Sequence, residues 1–191
     1  MSKIRSEAVC IYGARIINTH VLAMYAEIEG VLEAKDIEFI HRMRVASRRL
    51  RSALTIFEGC FSRKEYKGYS RDVREVTRSL GAARDLDVQL AVLAEIMPEY
   101  ADPRLAPGLN RLQLRLRQQR AEAQKGVAAA VQRLQADDTL VSLAKWAAPL
   151  REMSEGVYLF SPALYELAFS GISARQNELM AHAAFIRDER N

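Results

Sequence analysis

Residues 36–61 read DIEFIHRMRVASRRLRSALTIFEGCF, and this stretch has the period of an amphipathic α-helix. On a helical wheel at about 100° per residue, its apolar side chains fall within one broad arc. They are Phe39, Ile40, Met43, Leu50, Ala53, Leu54, Phe57 and Phe61. Asp36 is a good N-cap residue and Gly59 a good terminator, so we predict a helix over 36–59 with one face in a core.

The flanking sequence has the same helical character, since Ala, Leu, Arg, Glu and Gln dominate it and Gly and Pro gather at a few breaks. We predict helices over 5–30, 36–59, 64–97, 104–135, 138–148 and 161–187. Ser62 predicts the start of the third helix, Pro98 its end, and Ser161-Pro162 the start of the last. Residues 148–161 lose the helical period and predict a linker.

These segments predict an all-α protein, with an antiparallel four-helix bundle of long helices over residues 1–135. Residues 136–191 then hold a linker and the start of a second helical bundle. The chain has 191 residues, of which 49% are hydrophobic, enough for a substantial core. The sequence contains no run of about 18 apolar residues, so we predict no membrane span.

The N-terminal sequence and the cysteines both predict a cytoplasmic protein. MSKIRSEAVCIYGARIINTH lacks the continuous apolar block of a secretory signal. Cys10 and Cys60 lie far apart in helical patterns, so we expect separate buried thiols in a reducing cytosol and no disulfide framework.

Positive charge is concentrated in the first two thirds of the chain. Residues 1–134 contain 23 Lys and Arg against 16 Asp and Glu, whereas residues 135–191 contain 5 against 8. A local excess of cations favours a localised anion-binding site over non-specific binding of anions.

Four cations form one stripe on the helix of residues 36–59. His41, Arg44, Arg48 and Arg51 fall within an arc of about 80° beside the apolar arc, and Arg44 to Arg51 spans roughly 10 Å along the axis. Arg49 lies on the far flank of the apolar arc. Between residues 41 and 51 there are five arginines and no acid.

The next two helices repeat this device. Their rows are Lys67, Arg71, Arg74 and Arg78 on the third helix, and Arg104, Arg111 and Arg115 on the fourth. Like charges at this spacing repel one another mildly, so an anionic partner would favour the arrangement. Three explanations stay open: a solvated basic face whose arginines pair with nearby acids, a groove for a polyanion, or a protein-interaction surface. The nearby acids are Glu65, Asp72, Glu75, Asp85 and Asp87.

The three histidines differ in their surroundings. His41 suits a donor to a bound anion or a structural histidine, and a metal site is disfavoured because arginines flank it and no ligand-spaced carboxylate or Cys shares its face. His20 and His182 have no basic companions on their own helices, so we expect structural or surface roles for both.

The segment Gly81-Ala82-Ala83-Arg84-Asp85-Leu86-Asp87 is unusual inside a helix. Gly81 suggests a close helix–helix approach, and we favour a structural role for the charged residues over acid catalysis. The sequence contains no Walker A loop, G-x-G-x-x-G, nucleophile elbow or H-E-x-x-H. We therefore expect no enzyme activity and no cofactor.

Two stretches carry a resemblance to a known family. IHRMRVASRRLRSALTIFEGCF (residues 40–61), followed by SLGAARDLDVQLAVL (residues 79–93), closely resembles the conserved histidine α-helical domain, or CHAD. The resemblance implies two helical bundles with basic surfaces around a central groove, binding of inorganic polyphosphate, location at polyphosphate granules, and association with triphosphate-tunnel proteins of the CYTH type. Its motif positions here are His41, Arg44, Arg48, Arg49, Arg51, Arg84 and Asp85.

The sequence departs from the family in one respect, because it holds no second H-x-x-R run. We expect either a fragment or a short form, and a homodimer would cover the apolar face of helix 161–187.

The predicted function is non-catalytic polyphosphate binding, with nucleic-acid binding or protein interaction as the alternatives. Nucleic acid is disfavoured because no aromatic residue interleaves with the arginine rows. The predicted binding residues are His41, Arg44, Arg48, Arg49, Arg51, Lys67, Arg71, Arg74, Arg78, Arg84, Arg111 and Arg115.

Overall fold

The computed structural model describes residues 6–100, 102–153 and 161–182. Over these ranges it contains α-helices and 3-10 turns and no strand, so the predicted all-α class is confirmed. The helices are α1 (Glu7–Tyr25), α2 (Ile28–Glu33), α3 (Ile37–Ile56), α4 (Arg63–Ile96), α5 (Ala106–Ala136), α6 (Thr139–Glu152) and α7 (Pro162–Ala181). Short 3-10 turns, Glu58–Cys60 and Met97–Tyr100, follow α3 and α4.

Two predicted boundaries are wrong. The single helix predicted over 5–30 is two helices, because α1 ends at Tyr25 and α2 packs against α3 and α5. Gly30 permits this packing, since a Cβ there would collide with the ring of Phe39. The linker predicted from residue 148 begins too early, because α6 continues to Glu152. The rest of that linker, 154–160, and the end of the last predicted helix lie outside the described residues.

The predicted helix starts are confirmed by their capping hydrogen bonds. Asp36 Oδ1 accepts a 2.8 Å hydrogen bond from the backbone N–H of Glu38 at the start of α3. At the start of α4, Ser62 Oγ accepts from the N–H of Glu65 at 3.3 Å, and Glu65 Oε2 accepts from the N–H of Ser62 at 2.9 Å. These reciprocal bonds form a capping box, which fixes where the long helix α4 begins.

Helix α3 lies at the centre of the core, between α1 and α4, while α5 packs on α4 and α6 packs on α1. Met43, Leu50 and Leu54 of α3 are fully buried, in agreement with the apolar arc read from the sequence. Leu140 and Leu143 of α6 belong to the same core, although they lie beyond the residue-135 boundary predicted for the first bundle. The core therefore fixes α3 and α4 firmly, and both helices carry the basic rows.

The expectation of two separate thiols is wrong, because Cys10 and Cys60 form a disulfide between α1 and the turn after α3. Gly13 lies one helical turn from Cys10, and a Cβ there would be 2.7 Å from the ring of Phe57. The missing side chain brings α1 close to the end of α3 and places the two cysteine Cα atoms 5.5 Å apart. One of the two grounds for expecting a cytoplasmic protein is thereby removed.

Helix α7 is mostly exposed. Ala163, Leu164 and Leu167 contact the core, whereas Tyr165 and Phe169 are 62% and 75% exposed. None of the described helices combines the length and apolarity that crossing a membrane requires.

Candidate anion-binding site

Three exposed arginines of α3 have no acidic partner within the described ranges. Arg48, Arg49 and Arg51 are exposed, and none forms an ion pair with a described residue. Arg42, which is outside the predicted site, behaves differently: its Nε donates to both carboxylate oxygens of Glu27 at 2.9 and 3.0 Å. Arg48, Arg49 and Arg51 are therefore available to an anion, while Arg42 holds α3 to the turn between α1 and α2.

Arg44 lies at the junction of α3 and α4 and is partly buried. A Cβ on Gly81 would lie 3.7 Å from Arg44 Nε, an ordinary van der Waals contact, so Arg44 would also accommodate an alanine here. The prediction that Gly81 marks a close helix–helix approach is therefore wrong. Arg44 Nε is buried and has no hydrogen-bond partner in the described part of the chain, a cost that an anion at this guanidinium would offset in part.

The contacts between α3 and α4 define their register. Arg44 is level with Gly81, and Glu38 lies 4.0 Å from Arg84, so residue numbers fall along α3 as they rise along α4. The two helices are antiparallel. With equal rise per residue, Arg48 and Arg51 lie level with α4 positions near 77 and 74. Arg74 and Arg78 therefore lie at the same height along the helix pair as Arg51 and Arg48.

Three acids of α4, Asp72, Glu75 and Asp87, are paired with arginines, whereas Asp85 is exposed. Asp72 accepts hydrogen bonds from Arg71 Nε at 2.8 Å and from Thr139 Oγ1 of α6 at 2.8 Å. Glu75 pairs with Arg133 of α5 at 2.7 Å. The prediction that nearby acids neutralise the rows thus holds for Arg71, whose pKa is raised by the hydrogen bond from its side chain to Asp72.

The remaining α4 cations, Lys67, Arg74 and Arg78, are exposed and pair with no acid in the described ranges. Together with the α3 stripe they form a surface that we call the α3–α4 basic face. Its members are His41, Arg44, Arg48, Arg51, Lys67, Arg74 and Arg78. His41 is partly buried on this face and makes no side-chain hydrogen bond to a described residue.

Five predicted site residues lie elsewhere or are already engaged. Arg71 is paired with Asp72, and Arg84 is 4.0 Å from Glu38 with only 23% of its side chain exposed. Arg49 lines the opposite flank of α3. Arg111 and Arg115 of α5 are the most distant.

The row on α5 is separated from the α3–α4 basic face. The pairs Glu75–Arg133 and Asp87–Arg120 show that α4 and α5 are antiparallel and in register. Arg111 is therefore level with α4 positions near 96, about 27 Å along the axis from Arg78 at 1.5 Å per residue. Arg111 and Arg115 are exposed on the end of the α4–α5 pair that extends beyond α3, so the structure does not bring them to the same surface.

The structural role predicted for the segment after Gly81 is confirmed at Asp87. Asp87 Oδ1 accepts a 2.6 Å hydrogen bond from Arg120 Nε, and Arg120 donates to Gln124 Oε1 at 3.0 Å. Gln124 in turn donates to the carbonyl of Val31 at 2.8 Å. This chain ties α4, α5 and α2 together, and it leaves Asp85 exposed without an ion pair in the described ranges.

His20 is a residue that the sequence reasoning missed. It lines a groove between α1 and α3 together with Arg48 and Arg49. Burial, and then the positive charge of Arg49, lower the pKa of His20. Its basic companions come from another helix, so spacing along its own helix gave no signal; only the pairing of α1 with α3 reveals them.

A metal site has no support in the described ranges, which contain no group of three or more His, Cys, Asp or Glu side chains able to hold an ion. The geometry instead presents a set of exposed guanidinium groups on α3 and α4, an arrangement suited to anionic oxygen atoms.

The fold and the site define a class, that of all-α domains with an exposed polybasic face. The family model of the CHAD domain matches residues 15–190, and the chain belongs to that family. CHAD domains are associated with polyphosphate-related proteins. Comparison with curated proteins found no match, and comparison with solved structures found none either.

Proposed function

We propose that this protein binds inorganic polyphosphate along the α3–α4 basic face and does not catalyse a reaction on it. The observation that carries the proposal is the separation of charges on α4. The acids Asp72, Glu75 and Asp87 are paired with arginines of α4 or α5, whereas Arg74 and Arg78 are exposed and form no ion pair within the described ranges. A flexible chain of phosphates supplies the missing negative charges in a row.

The arginines of this face suit phosphate groups. The planar fork of each arginine donates two parallel hydrogen bonds, and adjacent forks can engage successive groups of one polyanion. Arg44, Arg48 and Arg51 cover roughly 10 Å along α3, which a single orthophosphate cannot span. The affinity should therefore rise with chain length until the face is covered.

Nucleic acid is the alternative ligand, since it also presents a row of phosphates. The aromatic side chains nearest the row on α4 are committed to packing: Tyr69 contacts Phe61 edge to face with ring centroids 5.8 Å apart, and Tyr66 packs against the core. A base would find no stacking platform there. This arrangement favours a polyanion without bases.

The family also suggests partners and a location. We propose association with CYTH-type triphosphate-tunnel proteins, and location in the cytoplasm at polyphosphate granules. A homodimer is proposed as well, supported by the exposed Tyr165, Phe169 and Ile172 of α7. Sedimentation at several concentrations measures this; a monomer at every concentration contradicts the dimer.

The test of the proposed function is a binding titration against polyphosphates of several chain lengths at two salt concentrations. Long chains should bind more tightly than short ones. Added salt should weaken the binding of long chains most, because they engage many cations at once. Orthophosphate and long-chain polyphosphate binding equally well would contradict the proposal.

Competition and turnover complete the test. Polyphosphate should displace single-stranded RNA at matched phosphate concentration. A preference for RNA would make nucleic acid, and not polyphosphate, the favoured ligand. Release of orthophosphate from long-chain polyphosphate by the pure protein would contradict the non-catalytic part.

A further inference from the structure

The groove between α1 and α3 has a volume of about 490 Å³, within the usual range for small-molecule sites of roughly 300–1,000 Å³. It lies on the flank of α3 that faces α1, whereas Arg44 faces α4 on the other flank. The groove is thus distinct from the α3–α4 basic face, and Arg48 is the residue that lines both.

Part of the groove lining is apolar. It contains Ile16 of α1, Val45 and Ile56 of α3, and the buried Phe57. Ile56 is 48% exposed, so a part of this apolar lining is in contact with solvent. Covering it with an apolar body of a ligand would be favourable.

Another part of the lining is polar and includes two cations. Arg48 and Arg49 have no acidic partner among the described residues, and His20 lies beside them with a lowered pKa. No carboxylate is among the described residues that line the groove. Ser52 Oγ donates to the carbonyl of Arg48 at 3.2 Å, so its hydroxyl proton is already engaged and the two guanidinium groups remain the donors.

We propose that this groove is a binding site for a small amphiphilic anion, namely a phosphate monoester with an aromatic or aliphatic body. Its phosphate lies between Arg48 and Arg49, and its body covers Ile16, Val45 and Ile56. Two adjacent guanidinium groups match a doubly charged phosphate, while the apolar lining residues select against inorganic phosphate and polyphosphate, which have no apolar part. The site does not require polyphosphate binding.

The experiment uses phenyl phosphate as the probe and inorganic phosphate as its matched control. Both are titrated into the full chain, and backbone amide shifts are followed by NMR. Phenyl phosphate should bind about tenfold or more tightly than inorganic phosphate, with the largest shifts around Ile16 and Ile56. Equal binding of the two probes would overturn the proposal.

Variants separate this site from the polyphosphate face. Arg49→Glu and Ile56→Ser replace exposed residues, and each should lower the affinity for phenyl phosphate about tenfold or more. Arg74→Glu combined with Arg78→Glu should leave this affinity unchanged. Unchanged binding in Arg49→Glu, or an equal loss in the α4 double variant, would refute the groove.

The two proposals fail in different ways. Ile56→Ser should leave polyphosphate affinity unchanged, because its side chain is not on the α3–α4 basic face. Phenyl phosphate that still binds when polyphosphate does not would uphold the groove and contradict the proposed function. The reverse result would contradict the groove alone.

Discussion

The two sides of α4 differ sharply in how their charges are matched. On the side toward α5 and α6, Asp72 and Asp87 have side chains only 11% and 4% exposed, and both accept hydrogen bonds from arginines. On the side toward α3, Arg74 and Arg78 are exposed and have no acidic partner in the described ranges. One helix therefore carries paired charges on one side and exposed cations without a described partner on the other.

The difference shows that the pairing of charged residues matters more than their spacing. Acids that are paired with arginines are already neutralised, whereas arginines without an acidic partner retain their attraction for an external anion. Substitutions on the first side should change stability, and substitutions on the second should change binding.

The largest stability effect is expected for Asp87→Ala. It leaves the guanidinium of Arg120, 15% exposed, without its carboxylate, so unfolding should become easier by about 3–5 kcal/mol. Urea unfolding measures the difference. The matched control is Arg78→Ala on the opposite side, with an expected change within about 0.5 kcal/mol. Equal losses in the two variants would contradict the division between the sides.

A smaller effect of opposite sign is expected for Gly81→Ala. A Cβ at this position meets Arg44 Nε at 3.7 Å, an ordinary contact, so the gain in helix propensity should stabilise the protein by about 1 kcal/mol. Gly68→Ala on the same helix adds its Cβ to open space and is the control. Destabilisation by Gly81→Ala alone would show that Arg44 requires more room than the structure indicates.

Glu75→Gln should have a still smaller effect. The Glu75–Arg133 pair is 2.7 Å long, but its side chains are 39% and 58% exposed, so its loss should cost about 0.5 kcal/mol and less in high salt. Thermal unfolding at two salt concentrations measures this. A loss of stability as large as that expected for Asp87→Ala would mean that solvent exposure does not determine how much each ion pair on this side contributes to stability.

The smallest expected effect is a pH dependence of stability caused by His20 of α1, which lines the groove between α1 and α3. Burial and Arg49 lower its pKa below 6.5, so between that pH and the folded pKa the unfolded chain binds more protons. The contribution of His20 to stability is therefore retained above pH 6.5 and lost as the pH falls through this window. Comparing His20→Gln with the parent protein across pH 5–8 isolates it; parallel pH profiles would contradict this account.

Much of the fold could be predicted from local signals. The apolar arc of α3, the Asp36 cap and the Ser62 capping box depend on residues within a few positions of each other, so they are visible in the sequence. The break between α1 and α2 and the Cys10–Cys60 disulfide were not predicted, because both depend on glycines that allow a distant aromatic ring to approach.

The candidate site follows the same rule. The rows on α3 and α4 were visible as spacings, but the partners of Arg71 and the distance of Arg111 from the basic face depend on helix register. His20 was missed because Arg48 and Arg49 reach it from a different helix. Residue spacing identifies a row, and only packing identifies what neutralises it.

The central claim, that the α3–α4 basic face binds polyphosphate, is tested most directly by two double variants with the same change of net charge. Arg48→Glu with Arg74→Glu reverses two members of the face, and Arg111→Glu with Arg115→Glu reverses two exposed arginines at the distant end of the α4–α5 pair. Long-chain polyphosphate affinity should fall about 100-fold or more in the first variant and stay within a few-fold in the second. Equal losses in the two variants, or unchanged binding in the first, would contradict the account.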